Sequence, residues 1–397
     1  MKQPTRPQIK EAYNITDVKP IYTLIVDGNS LFKRSISVDK RLSSNGIEYG
    51  AIFQFLLQVK MMLAKKDFDY VYVFWDGDKS GYLRYKIYSD YKRNRDKNYE
   101  NYGESDYAKQ LRDYEQKILK YAAKKKVQDD KQSQKEIDDA NFKRQRDILC
   151  EMLEELFIRQ VMCDMVEGDD LIAYYVNNKL PEEKIVIMTG DLDIVQLISK
   201  DVAIYALNLK PKIFLTPDNV SKYIGYNHEN IALIKTICGD DSDNISPVLG
   251  FGGSGHKTLF KFFPELANEK KTLDYVLDSA KKQINERIEK KEKPYKALEN
   301  LVNSVTKGVQ GNKILEINER LVDLSKPFLT EEAVSDLDDV RYTPIDPEGR
   351  SFTNLKRIIN DNHMNDLLDD NTFSNFFSIY NRIITIEKKR FENSVRN

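Results

Sequence analysis

A central, mostly parallel α/β sheet flanked by helices is the architecture this sequence predicts, on two observations. Three short apolar runs rich in Val, Ile and Tyr each stop at an aspartate, and helical patterns lie between them. Runs of that length, bounded by turn residues, read as buried strands, and strand–helix alternation builds parallel sheets. A third observation concerns use. In such sheets ligands bind beyond the carboxyl ends of the strands, where these aspartates fall.

In chain order, "PIYTLIVDGNSLF" (20–32) is the first strand and ends at Asp27-Gly28. "AIFQFLLQVKMMLAKK" (51–66) has helical periodicity, and "FDYVYVFWDGDKSG" (68–81) is a second strand ending at Asp76-Gly77. "RDILCEMLEELFIRQ" (146–160) reads as a helix, and so does the apolar pattern of "MVEGDDLIAYYVNN" (165–178). "EKIVIMTGDLDIVQLI" (183–198) is the third strand, closing on Gly190-Asp191-Leu192-Asp193. "NHENIALIKTI" (227–237) predicts a helix that Gly239 ends. Beyond about 270 the pattern is mostly helical, without repeats, and its last part is expected to pack back on the sheet. Phe373, Phe376 and Phe377 are spaced as core residues of a helix.

The 397 residues leave room for two or three domains, or for one large domain with insertions. No run of about 18 apolar residues occurs, so no membrane span is expected. The start, "MKQPTRPQIKEAYN", lacks the apolar core of a secretory signal and reads as a polar tail. Cys150, Cys163 and Cys238 are scattered singly beside only three His, which argues against a zinc site and fits a reducing cytoplasm. Lys+Arg (62) and Asp+Glu (63) balance overall, yet Lys79 to Lys97 holds seven Lys/Arg against two Asp. A basic strip beside acid-rich points suits an anionic partner held near a metal site.

The acids are the strongest signal. Asp27, Asp76, Asp191 and Asp193 follow strands; Glu167, Asp169 and Asp170 open a helix; Asp240 and Asp243 follow another in "CGDDSDNISPV" (238–248). Singly, each cluster has an ordinary explanation as a turn, a solvated loop or a cap favoured by the helix dipole. Gathered at one sheet edge, nine acids would repel one another unless cations sat among them. Hard divalent cations take such oxygen ligands, and a pair of them catalyses in-line phosphoryl displacement.

Taken in order, Asp27, Asp76, "EGDD" (167–170), "TGDLD" (189–193) and "GDDSDN" (239–244) resemble the motifs of the flap endonuclease / 5′-3′ exonuclease family over about residues 21–262. The bacteriophage members, those named RNase H included, look nearest. The resemblance implies a PIN-like 5′-nuclease fold with a helical arch and a helix–three-turn–helix. It also implies metal-ligand roles for Asp27, Asp76, Glu167, Asp169, Asp170, Asp191, Asp193, Asp240 and Asp243. The expected cofactor is Mg²⁺ or Mn²⁺, two or more ions. Gly168 stands where the family usually has Ala, and Asp241 is extra.

"DGDKSGYLRYKIYSDYKRNRDK" (76–97) is similar to the segment that leads into the arch. It implies Lys92 as the catalytic lysine, with Arg95 also facing phosphate. Lys79, Arg84, Tyr91 and Arg93 are then expected to touch DNA, Tyr91 by stacking on a base. Residues 99–146 are polar and Tyr-rich with little core-forming content, as an arch that threads a single strand would be. In "LGFGGSGHKTLFKFFP" (249–264), Gly253, Gly255 and Lys257 fit the hairpin where backbone N–H groups approach a phosphate. Gly250-Phe251-Gly252 fits with an insertion. The family often holds K⁺ there.

The expected division is a tail over 1–20 and a nuclease core over 21–225 with the arch inserted at about 79–146. A DNA-binding region over 226–300 and a helical region over 301–397 follow. The expected substrates are branched or nicked DNA and RNA–DNA duplexes with 5′ ends, in the cytoplasm (the host's for a phage protein). The role implied is removal of primers or flaps in replication, with a single-strand-binding protein or sliding clamp among the partners considered. Three other readings compete. "DLDIV" (191–195) fits a haloacid dehalogenase nucleophile motif, but fewer than 50 residues separate it from "GDDSDN" and Asp27, Asp76 and Glu167 stay unexplained. A PIN-type endoribonuclease needs neither "GDDSDN" with its glycine loop nor an arch. A non-catalytic DNA-binding replication protein would be expected to have lost acids.

Overall fold

The computed structural model describes residues 20–93, 126–253, 255–305 and 313–396. Six strands form one sheet: β1 (Ile21–Asp27), β2 (Tyr70–Asp76), β3 (Arg159–Cys163), β4 (Glu183–Thr189), β5 (Val202–Ala206) and β6 (Ile213–Leu215). Their order is β3-β2-β1-β4-β5-β6; the first five run parallel and β6 is antiparallel to β5. The chain goes outward from β1 to β2 and β3, then crosses to β4 and β5. The direction of build-up therefore reverses between β1 and β4, where a crevice opens at the carboxyl ends.

Side chains of the pleat alternate between two cores. Leu24, Val26, Val73, Trp75 and Met188 join the core under the helices Gly28–Val38 and Gly50–Leu63. Ile25, Tyr72, Phe74, Ile185 and Ile187 face the opposite core, which holds the helix Gly168–Asn177. A third core lies under the helices Ile231–Cys238, Gly255–Phe262, Leu273–Glu289 and Lys296–Val302 and continues to Leu315.

The C-terminal residues return to the sheet, as expected. Phe373, Phe376 and Phe377 are buried in the first core. The final helix, Asn381–Arg396, supplies Glu387, which accepts a bidentate pair of hydrogen bonds from Arg159 on β3 at 3.0 and 2.7 Å. The helix expected over 146–160 ends at Glu155, and the chain turns through Phe157 at φ +58° into an edge strand that periodicity did not reveal. Among the described residues no helix is long and apolar enough to cross a membrane. Residues 1–19 and 94–125, with Arg95 and most of the expected arch, lie outside the described residues.

Candidate metal centre

Each strand-ending Asp-Gly pair is built by close packing. Asp27 caps the helix Gly28–Val38: Ser30 N donates to its Oδ1 at 2.9 Å and Thr189 Oγ1 to its Oδ2 at 2.6 Å. A Cβ on Gly28 would stand 2.5 Å from the Trp75 ring, so only glycine lets this helix start against β2. Asp76 accepts from Gly168 N at 2.8 Å, which sets it beside the acidic helix start. A Cβ on Gly77 would lie 1.8 Å from the Cys163 carbonyl oxygen. At the third corner, Asp191 N donates to Thr189 Oγ1 at 2.9 Å, and Asp193 N donates to Asp191 Oδ1 at 2.8 Å.

Four carboxylates at these corners, Asp27, Asp76, Asp169 and Asp191, act on one another electrostatically, and among the described residues none forms an ion pair. Burial pushes the Asp27 carboxyl up to about 7 against the pull of its Thr189 and Ser30 hydrogen bonds, with Asp191 and Asp76 adding to the rise. Asp169 is pushed well above the usual range by burial and then by Asp191, Asp27 and Asp76. Among the described residues no cation pairs with these four acids.

The remaining acids are held by lysines and arginines. Glu167 is 6 % exposed and accepts from Arg84 at 2.8 Å, from the Tyr91 hydroxyl at 2.9 Å and from Lys92. Burial alone would raise its carboxyl, but Lys92 and Arg84 hold it down at about 2. Lys92 also lies 3.8 Å from Asp243, and its backbone N–H donates to the Asp243 carbonyl at 2.9 Å. Lys235 donates to Asp193 and, at 2.6 Å, to Asp240. Burial would raise Asp240 too, yet Lys235 keeps it below the usual carboxylate range. Oxygens of Asp193, Asp240 and Asp243 come within 4.8 Å of one another, a donor set that suits a hard divalent cation. The turn that carries Asp240 and Asp243 is closed by Asn244, at φ +59°, whose Nδ2 donates to the Asp90 carbonyl at 2.7 Å.

Three expectations are corrected. Asp170, expected as a metal ligand, is fully buried, and its oxygens are taken by the Arg84 fork and by Phe328 N at 2.9 Å. Arg84, expected on DNA, is 4 % exposed because it serves that fork. Tyr91, expected to stack on a base, is 2 % exposed with its hydroxyl on Glu167, so its ring is closed off. Lys79 and Arg93 are exposed, Arg93 beside Asp90 at 3.0 Å. Gly253 takes φ +66° ahead of the helix Gly255–Phe262, whose Lys257 is exposed, while Phe251 is the buried apolar residue of that loop. Lys235 was missed. Its signal was a lone charge inside the apolar "IALIKTIC", five residues before Asp240.

Residues 22–225 match the family model of the 5′-3′ exonuclease, N-terminal resolvase-like domain. The chain belongs to this 5′-3′ exonuclease family. It is 24% identical over 270 residues to DNA polymerase I of Bacillus subtilis strain 168, over 67% of this chain and 26% of the polymerase. It therefore spans about a quarter of the length of that relative. A 5′-3′ exonuclease of Mycoplasmopsis pulmonis is 33% identical over 113 residues, covering 28% of this chain and 35% of the relative. The fold is similar to that of the zinc-bound T5 5′-exonuclease, with a TM-score of 0.52 and 18% identity over 86% of this chain and 98% of that one. The matched residues span almost all of the sheet and the acids from Asp27 to Asp193, while Asp240, Asp243 and the glycine loop lie beyond them.

Proposed function

We propose that this protein hydrolyses phosphodiester bonds near the 5′ ends of branched or nicked DNA and of RNA–DNA duplexes, using two or more Mg²⁺ ions, with Mn²⁺ as a substitute. The observation that carries this is the convergence of two carboxylate groups at the sheet's carboxyl edge, with Glu167 and Lys92 between them. Divalent ions bound there would supply an activated water and stabilise the leaving oxygen.

The chain's own residues prepare that site. Ser30 and Thr189 fix the Asp27 carboxylate, and Gly168 N fixes Asp76. Arg84 and Tyr91 hold Glu167, which in turn holds the Lys92 ammonium at the site's mouth. A phosphate arriving there gives Lys92 an anionic partner besides Glu167 and Asp243, and the ammonium can then neutralise charge growing on the scissile group. Asp170 acts by positioning Arg84, not as a ligand. Gly253, Gly255 and Lys257 would grip the duplex, with K⁺ a candidate ion at that loop. The role suggested by the family is removal of primers or flaps during replication, in the cytoplasm, alongside a single-strand-binding protein or sliding clamp.

The test is cleavage of a labelled 5′-flap duplex in Mg²⁺, with EDTA and Asp191→Asn as controls and a single-stranded RNA alongside. Mg²⁺-dependent cutting near the junction that Asp191→Asn abolishes supports the reading. Cutting of the RNA alone would replace it with a PIN-type endoribonuclease.

A further inference from the structure

One helix beyond the family-matched residues 22–225 reaches the carriers of the second group of acids at three points. It is Ile314–Val322. Its Leu321 carbonyl accepts from Arg84 Nε at 3.0 Å, the arginine that holds Glu167 and Asp170. Its Val322 carbonyl accepts from Gln196 Nε2 at 3.1 Å, on the 3₁₀ turn Asp193–Leu197. Asn318, fully buried on the same helix, donates from Nδ2 to the Thr236 carbonyl at 3.0 Å and to the Ser246 carbonyl at 2.9 Å.

Those two carbonyls are the feet of the turn that bears Asp240 and Asp243. Thr236 lies in the last turn of the helix Ile231–Cys238, and a continuing helix would give its carbonyl the Asp240 N–H. That N–H donates instead to the Ile245 carbonyl at 3.0 Å, and Ile245 N donates back to the Asp240 carbonyl at 2.8 Å. Within the turn, Asp240 Oδ1 accepts from Ser242 N at 2.8 Å and from Ser242 Oγ at 2.6 Å. The turn is thus stiff in itself, and its attitude towards Asp193 is set at its feet. A single nitrogen holds both feet, ten residues apart in sequence. Only the NH₂ side of an amide can meet two acceptors, and both of its protons are then used. Asn318 Oδ1 is buried without a partner, so the cost of an orphaned acceptor is carried where both donors serve the turn.

We propose that Asn318 is a positioning residue for the phosphodiesterase reaction: by pinning Thr236 and Ser246 to one nitrogen, it holds the oxygens of Asp240 and Asp243 within reach of those of Asp193 for one divalent ion. This rests on the function proposed above. Mg²⁺ demands near-ideal octahedral ligand placement, and residues that orient its ligands from behind change metal affinity or activity by about 10–100-fold when lost. Asn318 acts through the backbone of the turn and from a helix that nucleic acid does not have to move.

The test is a Mn²⁺ titration of the full chain by electron paramagnetic resonance, for wild type, Asn318→Leu and Asn230→Leu. Asn230 is the control, because its amide is also fully buried and also bridges two carbonyls, those of Leu266 and Glu269 at 2.8 and 2.7 Å, outside the turn. Asn318→Leu should weaken the weaker class of Mn²⁺ site about tenfold and leave the tighter class unchanged, while Asn230→Leu moves neither. Single-turnover cleavage of a flap duplex in Mg²⁺ should fall about 10–100-fold in Asn318→Leu, with duplex affinity in Ca²⁺ unchanged. Added to Asp243→Asn, Asn318→Leu should change either readout by less than about twofold, since the ligand it positions is already gone. Equal weakening of both Mn²⁺ classes, the same change in Asn230→Leu, or losses that multiply with Asp243→Asn would overturn the proposal. Melting curves show whether Asn318→Leu folds; where it does not, Asn318→Thr, which keeps one donor, takes its place with the same pattern expected. Failure of the wild type to cut the flap duplex would count against the phosphodiesterase reading, while the Mn²⁺ titration still decides the role of Asn318.

Discussion

Asp27, Asp76, Asp169 and Asp191 act on one another electrostatically with no ion partner among the described residues, whereas Glu167, Asp170, Asp193 and Asp240 each hold an arginine or a lysine. Both groups sit at one sheet edge and both are half or fully buried over most of their members. The physical states differ. Asp27 is pushed up to about 7, while Glu167 is held at about 2. The first group has no cation partner among the described residues. The second is folded around its own cations, and an ion entering there competes with Lys235. The difference teaches that acids alike in sequence can serve binding in one place and scaffold in another.

That contrast can be broken most forcefully at Arg84. Arg84→Ala leaves Asp170 buried without its ion partner and Glu167 with Lys92 alone, and removal of one member of such a buried pair costs about 3–5 kcal/mol. Denaturant unfolding should show this loss with or without Mg²⁺, and a loss below 1 kcal/mol would mean that the fork is not structural. Next comes Asp191→Asn, which should reduce flap cleavage by about a thousandfold, about 4 kcal/mol in the barrier. It should leave the metal-free unfolding midpoint nearly unchanged because Asp191 is exposed. Equal losses of folding and cleavage in this variant would erase the distinction.

A third expectation follows from pH. The folded-state pKa of Asp27 lies above its unfolded value, so its contribution to stability is present at low pH and fades as pH rises through about 7. Glu167 is depressed, so its contribution is present above the ordinary Glu range and constant from pH 5 to 8. Metal-free protein should therefore lose stability from pH 6 to pH 8 on account of the first group. Thermal melts should show a larger Mg²⁺-induced gain at pH 8 than at pH 6. The smallest effect expected is in Asp27→Asn, which keeps the Ser30 cap and removes a repelling charge. At pH 8 without metal it should be stabilised by about 1 kcal/mol, and its Mg²⁺ gain should shrink.

Much of this was legible in the residues. The three aspartate-ending strands, the acidic helix start and the order of motifs all lie in short, strongly patterned stretches, and each appears where the patterns put it. β3, β5 and β6 were not foreseen, because five or fewer residues beside a helical pattern carry too little periodicity. The roles of Arg84, Tyr91 and Asp170 were misread for another reason. A basic or aromatic residue in a polar segment looks solvent-facing, and only tertiary packing against Leu321 and Phe328 turns Arg84 inward. Lys235 shows the converse: one charge in an apolar helix was readable as a buried ion partner, but its acids came from a 3₁₀ turn and a loop far apart in sequence.

The most direct test of the central claim is anomalous diffraction from crystals soaked in Mn²⁺. The account predicts a peak enclosed by Asp27, Asp76, Asp169 and Asp191 at low Mn²⁺, with a second beside Asp193, Asp240 and Asp243 only at higher concentration, where Lys235 must yield. Absence of any peak among the first four carboxylates, or filling of the Lys235 group first, would contradict it.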